Sequence, residues 1–150
     1  MIEVRLLGSG DEDVVAYLSL HDPEFDVSPS TAEPLEPLSL DDTAAFLADP
    51  SVKFWCAFDG DVVVGHLFCI VHPIRSAPGR EVLLYEIGVH QERRREGVGS
   101  QLMAALHEWV ASTEIRAMWV LADDAEATAF YESSGWAVDE DQPTYLTLDR

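Results

Sequence analysis

The sequence predicts one α+β domain over residues 1–150, with a mixed central sheet of six to seven strands flanked by about four helices. Strand-like and helix-like segments follow one another in the order β-α-α-β-β-β-α-β-α-β(-β). Asp59-Gly60 joins two apolar, β-branched runs, as in a tight hairpin. The 150 residues, of which 47% are hydrophobic, are enough to bury a core, and no repeat or second domain is visible.

The first part of the chain supplies one strand and two helices. Residues 2–6 alternate apolar and polar side chains, which is typical of a half-buried strand, and an acidic run at 11–13 begins a helix with one apolar face. Residues 22–40 contain four prolines among acids and small polar residues, so we expect a long irregular loop. A second acidic pair, at 41–42, begins a short helix that ends before Pro50.

The remaining elements follow from apolar runs, turns and helical periodicity. They are, in chain order, strands over 53–58, 61–71 and 81–89, a helix over 97–111, a strand over 118–121 and a helix over 126–134. The tail over 136–148 is expected to form two short strands around Asp141-Gln142-Pro143. Its apolar residues Tyr145, Leu146 and Leu148 either complete the sheet or pair across a homodimer.

The charge balance limits the classes of partner. The chain carries nine Lys+Arg against 28 Asp+Glu, a formal net charge of -19. Nucleic acids and anionic membranes are bound through basic residues that neutralise phosphates, so we expect neither partner. A small cationic partner suits this composition, although solubility or a salty cytoplasm also favours acidic surfaces. Residues 51–100 are the exception, because they hold six acids and six bases, three of them consecutive at 93–95.

The cysteines and the start of the chain bear on the compartment. Cys56 and Cys69 lie in apolar runs without the spacing of metal ligands, so we expect reduced core residues, no disulfide and no metal site. The chain begins without a basic segment followed by an apolar one, and no stretch reaches the roughly 18 apolar residues of a membrane span. A cytoplasmic protein is therefore the expectation.

An anion-binding signal lies between the strand over 81–89 and the next helix. A short basic loop precedes Gly97 and Gly99, which stand at the start of that helix. Unpaired N–H groups at a helix start attract anions, arginine strengthens the preference, and a missing Cβ lets phosphate oxygens approach. The dinucleotide motif Gly-x-Gly-x-x-Gly is excluded because Leu102 stands at its third glycine, and the P-loop sequence Gly-Lys-Ser/Thr is absent.

Two motifs resemble those of the GNAT superfamily of N-acetyltransferases. The pattern Arg94-x-x-Gly97-x-Gly99 is similar to motif A, which wraps the pyrophosphate of acetyl-CoA in that family. Residues 124–136 resemble the family pattern Asn-x-x-Ala-x-x-Phe-Tyr-Glu-x-x-Gly-Phe, with Asp124 in place of Asn and Trp136 in place of Phe. Together with the order of elements, these motifs imply the GNAT fold.

The resemblance also implies acetyl-CoA as the cosubstrate, without a metal. Three shorter segments, over 21–26, 58–65 and 84–89, resemble the gentamicin-type aminoglycoside 3-N-acetyltransferases. This resemblance implies that the acetyl group is transferred to an aminoglycoside amine and that the enzyme confers antibiotic resistance. The strand end would pair its backbone with the pantetheine arm, and the loop would hold the pyrophosphate. The residues implied for acetyl-CoA are Ile87, Gly88, Val89, Arg94, Arg95, Glu96, Gly97, Gly99, Ser100 and Asp124.

Acetyl transfer from a thioester needs a neutral amine, a polarised carbonyl and a proton for the departing thiolate. The resemblance implies Tyr131 as the acid that supplies this proton and the Val89 N–H as the donor to the thioester oxygen. The alternative for Tyr131 is an aromatic residue packed in the same core as Phe130.

The candidate base is Glu86, because the resemblance places an acid there and its strand is otherwise apolar. A carboxylate beside a cleft in such a strand has a raised pKa, which suits a base near neutral pH. The alternative is an acid on a solvated strand face, and residues 84–87 show no clean alternation that decides between the two. His90 and His107 are weaker candidates.

The acceptor is expected to be a small cationic amine. Carboxylates attract ammonium groups, and the acids at the expected cleft are Glu24, Asp26 and Asp123, although a charge run is often only solvated surface. Two alternatives stay open: a non-catalytic acyl-CoA-binding or sensing module, and a protein or peptide N-acetyltransferase. The joint presence of Tyr131 and Glu86 favours an enzyme over the sensing module.

Overall fold

Five strands form one mixed sheet in the order β1-β2-β3-β4-β5 in the computed structural model, which describes residues 1–25 and 33–149. Neighbouring strands are antiparallel except β4 and β5, which are parallel. The strands are β1 Ile2–Leu6, β2 Val52–Asp59, β3 Val62–Pro73, β4 Arg80–Val89 and β5 Ile115–Val120. The helices are α1 Glu12–Leu20, α2 Asp22–Phe25, α3 Leu40–Ala48, α4 Val98–Ala111 and α5 Ala125–Ser133, with a 3-10 turn over Gln91–Arg93.

The sheet carries a separate hydrophobic cluster on each face. One face packs against α4 and α5 through Leu67, Leu84, Leu102 and other buried residues. The opposite face packs against α1 through a second cluster that includes Leu18 and Phe54. Both clusters depend on β2 and β3, whose successive side chains point to opposite faces and are apolar on both.

The long helix α4 behaves as its periodicity predicts. Its buried residues Val98, Leu102, Met103 and Leu106 recur at helical spacing and face the sheet. Within the described part of the chain no helix is long and apolar enough to cross a membrane.

The predicted sheet of six to seven strands and the count of about four helices are both corrected by the structure, in which the described residues form five strands and five α-helices. The tail over 136–149 forms no strand, and Tyr145, Leu146 and Leu148 are exposed. The composition of the tail suits a strand locally, but a strand forms only where its backbone pairs with a neighbour, and no described strand pairs with the tail, although β5 is at the edge of the sheet.

The fifth helix, α2, lies within the segment that we expected to be irregular. The sequence Asp22-Pro23-Glu24-Phe25 suits a helix start, because proline fixes a helical φ angle and the acids interact favourably with the positive end of the helix. Residues 33–39 of the same segment are irregular, as predicted, and residues 26–32 lie outside the described residues.

Strand β4 contains a β-bulge, which changes the direction of the side chains that follow it. Phe68 of β3 pairs with Glu86, whereas the next residue, Cys69, pairs with Leu84, so Tyr85 is an extra residue in β4. Pairing with β5 ends at the same place, at Leu84 with Val120. Among the described residues no strand pairs with the second half of β4 on the β5 side.

A substitution at Gly65 tests the packing that holds α4 against β3. A Cβ at Gly65 would lie 2.8 Å from Val98 Cγ1 and 3.2 Å from the carbonyl oxygen of Gly88. We expect Gly65→Ala to lower the free energy of unfolding by about 1–3 kcal/mol, because neither the helix nor the backbone can easily withdraw. Gly8→Ala is the control, since nothing lies within 4 Å of its Cβ position. Equal urea unfolding curves for the two variants would contradict this packing.

Candidate active site

The extra residue in β4 decides which way Glu86 faces. Without it, Glu86 would share a face with Leu84, two residues earlier, inside the cluster under α4. With it, Glu86 pairs with Phe68 and points to the opposite face, and Tyr85 also contacts the Phe68 ring at 5.4 Å. Glu86 therefore lies at a cleft rather than in the main core.

The cleft has a volume of about 170 Å³ and lies between α1, α3 and strands β2 to β4. Most of its lining is apolar, with aromatic rings from Phe46, Phe54 and Phe68. The acidic groups in the lining are Asp22 and Glu86. An apolar pocket with a few convergent polar groups is the usual form of a small-molecule site.

The cleft raises the proton affinity of Glu86. Its side chain is 49% exposed, and burial of the remainder raises its pKa above the ordinary glutamate value, with a further contribution from the nearby charge of Asp22. His66 Nε2 lies 4.0 Å from the carboxylate. Glu86 is thus a carboxylate that can accept a proton closer to neutral pH than an exposed glutamate can.

The second half of β4 presents backbone groups to an open side. The N–H of His90 donates to Val64 O in β3 at 3.0 Å. Because successive N–H groups in a strand point in opposite directions, the N–H groups of Val89 and Ile87 point away from β3, to the side where no described strand pairs. Gly88 points its N–H toward β3, and a Cβ there would lie 2.6 Å from the His66 ring.

The loop after β4 is held by its own arginines. Arg93 pairs with Asp59 at 3.0 Å and with Glu96 at 2.6 Å, which ties the loop to the hairpin turn. Arg94 Nε donates to the carbonyl oxygen of Val89 at 3.3 Å. Arg95 has a φ of 66°, in the left-handed region that favours glycine.

The same loop ends at the first turn of α4. Gly97 is the N-cap residue of α4 and has a φ of 83°, a conformation that glycine adopts without strain. Because Gly97 has no Cβ, the space in front of the helix stays open. The unpaired N–H groups of the first turn of α4 face that space. At Gly99, a Cβ would meet the Phe130 ring at 3.3 Å, so this glycine also allows α5 to approach.

The residues expected to bind the cofactor therefore lie along one continuous path. They run from the open edge of β4 through the loop to the helix start. Arg95, Glu96, Gly97 and Ser100 are exposed, and Ile87, Val89, Arg94 and Gly99 are partly buried. Asp124 caps α5, since its Oδ1 accepts a hydrogen bond from the Ala127 N–H at 2.7 Å.

Tyr131 is buried in the same core cluster against which Phe130 packs. It is 8% exposed and packs in the cluster that contains Leu84, the last β4 residue paired with β5. Burial raises its pKa to about 12, with smaller contributions from Asp123 and Cys69. The phenol therefore keeps its proton at neutral pH.

The acids expected to bind the acceptor are found in different situations. Glu24 accepts contacts from His90 at 3.2 Å and from His21 at 3.3 Å, and these hydrogen bonds hold its pKa below the ordinary value. Asp123 is exposed just beyond the end of β5. Asp26 lies outside the described residues. Of the two weaker histidine candidates, His90 bonds Glu24, and His107 lies 3.2 Å from Trp136 Nε1.

One residue of the cleft was not indicated by the sequence patterns. His66 is buried in the middle of β3, at 8% exposure, beside Glu86. The available signal was a single histidine within the apolar run over 62–71, which by itself is typical of a packed core residue. Within the described residues no group of three or more His, Cys, Asp or Glu side chains is arranged to hold a metal ion.

The model of the acetyltransferase (GNAT) family matches residues 15–136, and no curated protein matches the chain. An aminoglycoside acetyltransferase from an uncultured soil metagenomic sample, in complex with sisomicin, is 18% identical and superposes with a TM-score of 0.81 over 99% of this chain and 97% of that one.

Two further solved structures share the fold. A ribosomal-protein-alanine N-acetyltransferase from Brucella melitensis has 17% identity and a TM-score of 0.74 over 100% of each chain. A transcriptional regulator from Bacillus halodurans has 21% identity and a TM-score of 0.76 over 98% of this chain and 100% of that one. At these identities the likeness shows the fold alone.

The raised pKa of Glu86 makes a prediction about stability. Between the unfolded value of 4.5 and the higher folded value, the native state binds the Glu86 proton more tightly, so the wild type loses stability as pH rises through that window. Glu86→Gln lacks this loss. We therefore expect the difference in free energy of unfolding to grow in favour of the variant as pH rises from 4.5 and then to become constant. Urea unfolding at a series of pH values measures it, and a difference that grows in favour of the wild type would contradict it.

Proposed function

The chain belongs to the GNAT acetyltransferase family, and we propose that it transfers the acetyl group of acetyl-CoA to the amine of a small cationic acceptor, by direct attack in a ternary complex. The observation that carries this proposal is the position of Glu86. Its carboxylate faces a small cleft beside the strand edge where a thioester would lie.

The chain offers a consistent set of donors to acetyl-CoA. The helix start at Gly97 and Gly99, with Arg94 and Arg95 beside it, suits the pyrophosphate, since N–H groups and guanidinium groups both bind phosphate oxygens. The outward-facing backbone of Ile87 and Val89 suits the amide groups of the pantetheine arm. The cosubstrate supplies the activated acetyl group as a thioester.

The Val89 N–H is the proposed donor to the thioester oxygen. It points to the side of β4 on which no described strand pairs, three residues after Glu86 in the same strand. A backbone donor held by the sheet needs no reorganisation when negative charge develops on that oxygen, which is the basis of this form of catalysis. Arg94 bonds the Val89 carbonyl and so helps to hold this peptide in place.

Glu86 is the proposed base. The acceptor amine arrives as an ammonium ion and must lose a proton before its nitrogen can attack the thioester carbonyl carbon. Glu86 takes that proton, directly or through a water, and its raised pKa favours the transfer. The new N–C bond then forms as the C–S bond breaks. The nitrogen loses its second proton in this step, and that proton, passed through water, replaces the one that the departing thiolate takes up, while the proton on Glu86 is released to solvent.

Tyr131 is the proposed acid that protonates the departing thiolate. Its hydroxyl keeps a proton at neutral pH because its pKa is about 12. Its cluster includes Leu84 and Cys69, which mark the place where β4 separates from β5. Asp124 is proposed to act mainly through the α5 cap that positions this tyrosine, seven residues later in the chain.

The acceptor class follows from charge and size. Asp22 and Glu86 line the cleft and attract ammonium groups, and Glu24, Asp26 and Asp123 are proposed as further acids that bind the acceptor. A volume of about 170 Å³ suits a short amine or one amine-bearing ring. An aminoglycoside, acetylated at a 3-N position with resistance as the consequence, is the specific acceptor we propose, supported by the fold neighbour that holds sisomicin.

One of the two alternatives is favoured by a particular observation. The fold neighbour that is a ribosomal-protein-alanine N-acetyltransferase supports a peptide acceptor. A sensing module would bind acetyl-CoA without transfer.

We also propose a cytoplasmic location, where acetyl-CoA is made, and a homodimer through the exposed tail residues Tyr145, Leu146 and Leu148.

Thiol release from acetyl-CoA in the presence of aminoglycosides, polyamines, amino acids and peptides tests the proposal. With the best acceptor, we expect Glu86→Gln and Tyr131→Phe each to lower kcat by roughly 100-fold or more, because each removes a proton-transfer group. Calorimetric binding of acetyl-CoA should be nearly unchanged in both variants.

Matched substitutions serve as controls for this assay. Glu81→Gln changes the same strand at its other end, beside His72, and Tyr145→Phe changes an exposed tail residue. Both should retain wild-type turnover. Full activity of Glu86→Gln or Tyr131→Phe would remove that residue from the mechanism, and binding of acetyl-CoA without turnover on any acceptor would favour the sensing module.

A further inference from the structure

His66 is a buried histidine that the proposed mechanism does not use. Its ring stacks on Phe54 at 5.9 Å and meets the edge of Phe25 at 5.7 Å. Across the ladder it pairs with Gly88, where a Cβ would approach the ring to within 2.6 Å. The ring is therefore held on three sides, and a glycine is needed opposite it.

The two ring nitrogens have very different surroundings. Nδ1 is buried and has no hydrogen-bond partner among the described residues. Nε2 faces the cleft, 4.0 Å from Glu86 Oε1. This separation is longer than a hydrogen bond, so a bond between the two groups requires the half-exposed Glu86 side chain to move toward the ring.

These surroundings select one neutral form of the ring. Burial lowers the pKa of His66 to about 4, so the imidazole carries one proton at neutral pH. A proton on Nδ1 would leave a buried N–H without an acceptor, whereas a proton on Nε2 points at a carboxylate. The Nε2-protonated tautomer satisfies the stronger interaction.

We propose that His66 is a positioning residue for Glu86, whose Nε2–H donates to the Glu86 carboxylate and orients it toward the acceptor ammonium in the cleft. The role in acetyl transfer rests on the proposed function, whereas the proximity of the two side chains is a property of the fold.

The titratable groups around the His66 ring determine how the proposed hydrogen bond changes the pKa of Glu86. From the elements packed against His66, these groups are Glu86 in β4, Asp22 in α2 and Cys56 in β2. The thiol is neutral because burial raises its pKa to about 12, and Asp22 raises the pKa of Glu86. A donor hydrogen bond from His66 favours the ionised form of Glu86 and so opposes Asp22 and burial.

Carbon-13 NMR titration of the Glu86 carboxyl group tests the contact without any acceptor. In His66→Phe, which keeps an aromatic ring between Phe54 and Phe25, we expect the Glu86 midpoint to rise by about one pH unit, because a charge-assisted hydrogen bond to the ionised form is lost. His72→Phe is the matched control, since His72 lies on the same strand, 3.9 Å from Glu81. It should leave the Glu86 midpoint in place.

A second measurement needs no substitution. Nitrogen-15 NMR of histidine-labelled wild-type protein reports which nitrogen of His66 carries the proton. We expect a neutral ring protonated at Nε2 throughout the neutral pH range. A ring protonated at Nδ1 would overturn the proposal, even if His66→Phe did not fold.

Activity provides a third readout if an acceptor is identified. In His66→Phe, the acid limb of the kcat/KM pH profile should move to higher pH by the same amount as the Glu86 midpoint. In His66→Asn, which restores an N–H donor, this movement should be smaller. An unchanged Glu86 midpoint in folded His66→Phe would overturn the proposal. Failure to acetylate any acceptor would instead count against the proposed function and leave the NMR result unaffected.

Discussion

The single extra residue in β4 is the constraint on which the site depends. It shifts the register between β3 and β4 by one residue. Leu84 therefore stays in the core under α4, while Glu86 faces the cleft. Pairing between β4 and β5 stops at the same residue, which exposes the backbone of Ile87 and Val89. One irregularity thus places a carboxylate on one face of the strand and open N–H groups at its edge. A regular β4 would bury the carboxylate among Leu67, Leu84 and their neighbours, at a high cost in free energy.

The charges of the chain are arranged around this strand. The net charge of -19 would repel an anionic cosubstrate, yet the arginines cluster in the loop before α4. Arg93 stabilises that loop through Asp59 and Glu96, while Arg95 is exposed at the helix start. Two acids, Asp22 and Glu86, line the cleft on the other side of β4. Screening limits the reach of the distant acids to about 8 Å at physiological salt, so local charges decide which ligand each side prefers.

Much of this molecule is predictable from its sequence, and the failures have physical causes. The hairpin at Asp59-Gly60, the periodicity of α4 and the glycines of the loop are local signals, and all of these elements form. The two tail strands were wrongly predicted because local composition does not decide whether a segment pairs with a distant strand, and no described strand pairs with residues 136–149. The direction of Glu86 was left open at the sequence level, since a bulge is defined only by the register of two strands. His66 was missed for a similar reason, because its significance comes from Gly88 and Glu86, which are more than 19 residues away.

Amide hydrogen exchange, resolved by residue and measured with and without acetyl-CoA, tests the central claim most directly. If the open edge of β4 receives the cosubstrate, acetyl-CoA should slow exchange at Ile87 and Val89, whose N–H groups face that edge. The Gly88 amide, which faces β3, should change little and serves as an internal control. Binding of acetyl-CoA with protection elsewhere in the chain, and none at Ile87 or Val89, would contradict the claim.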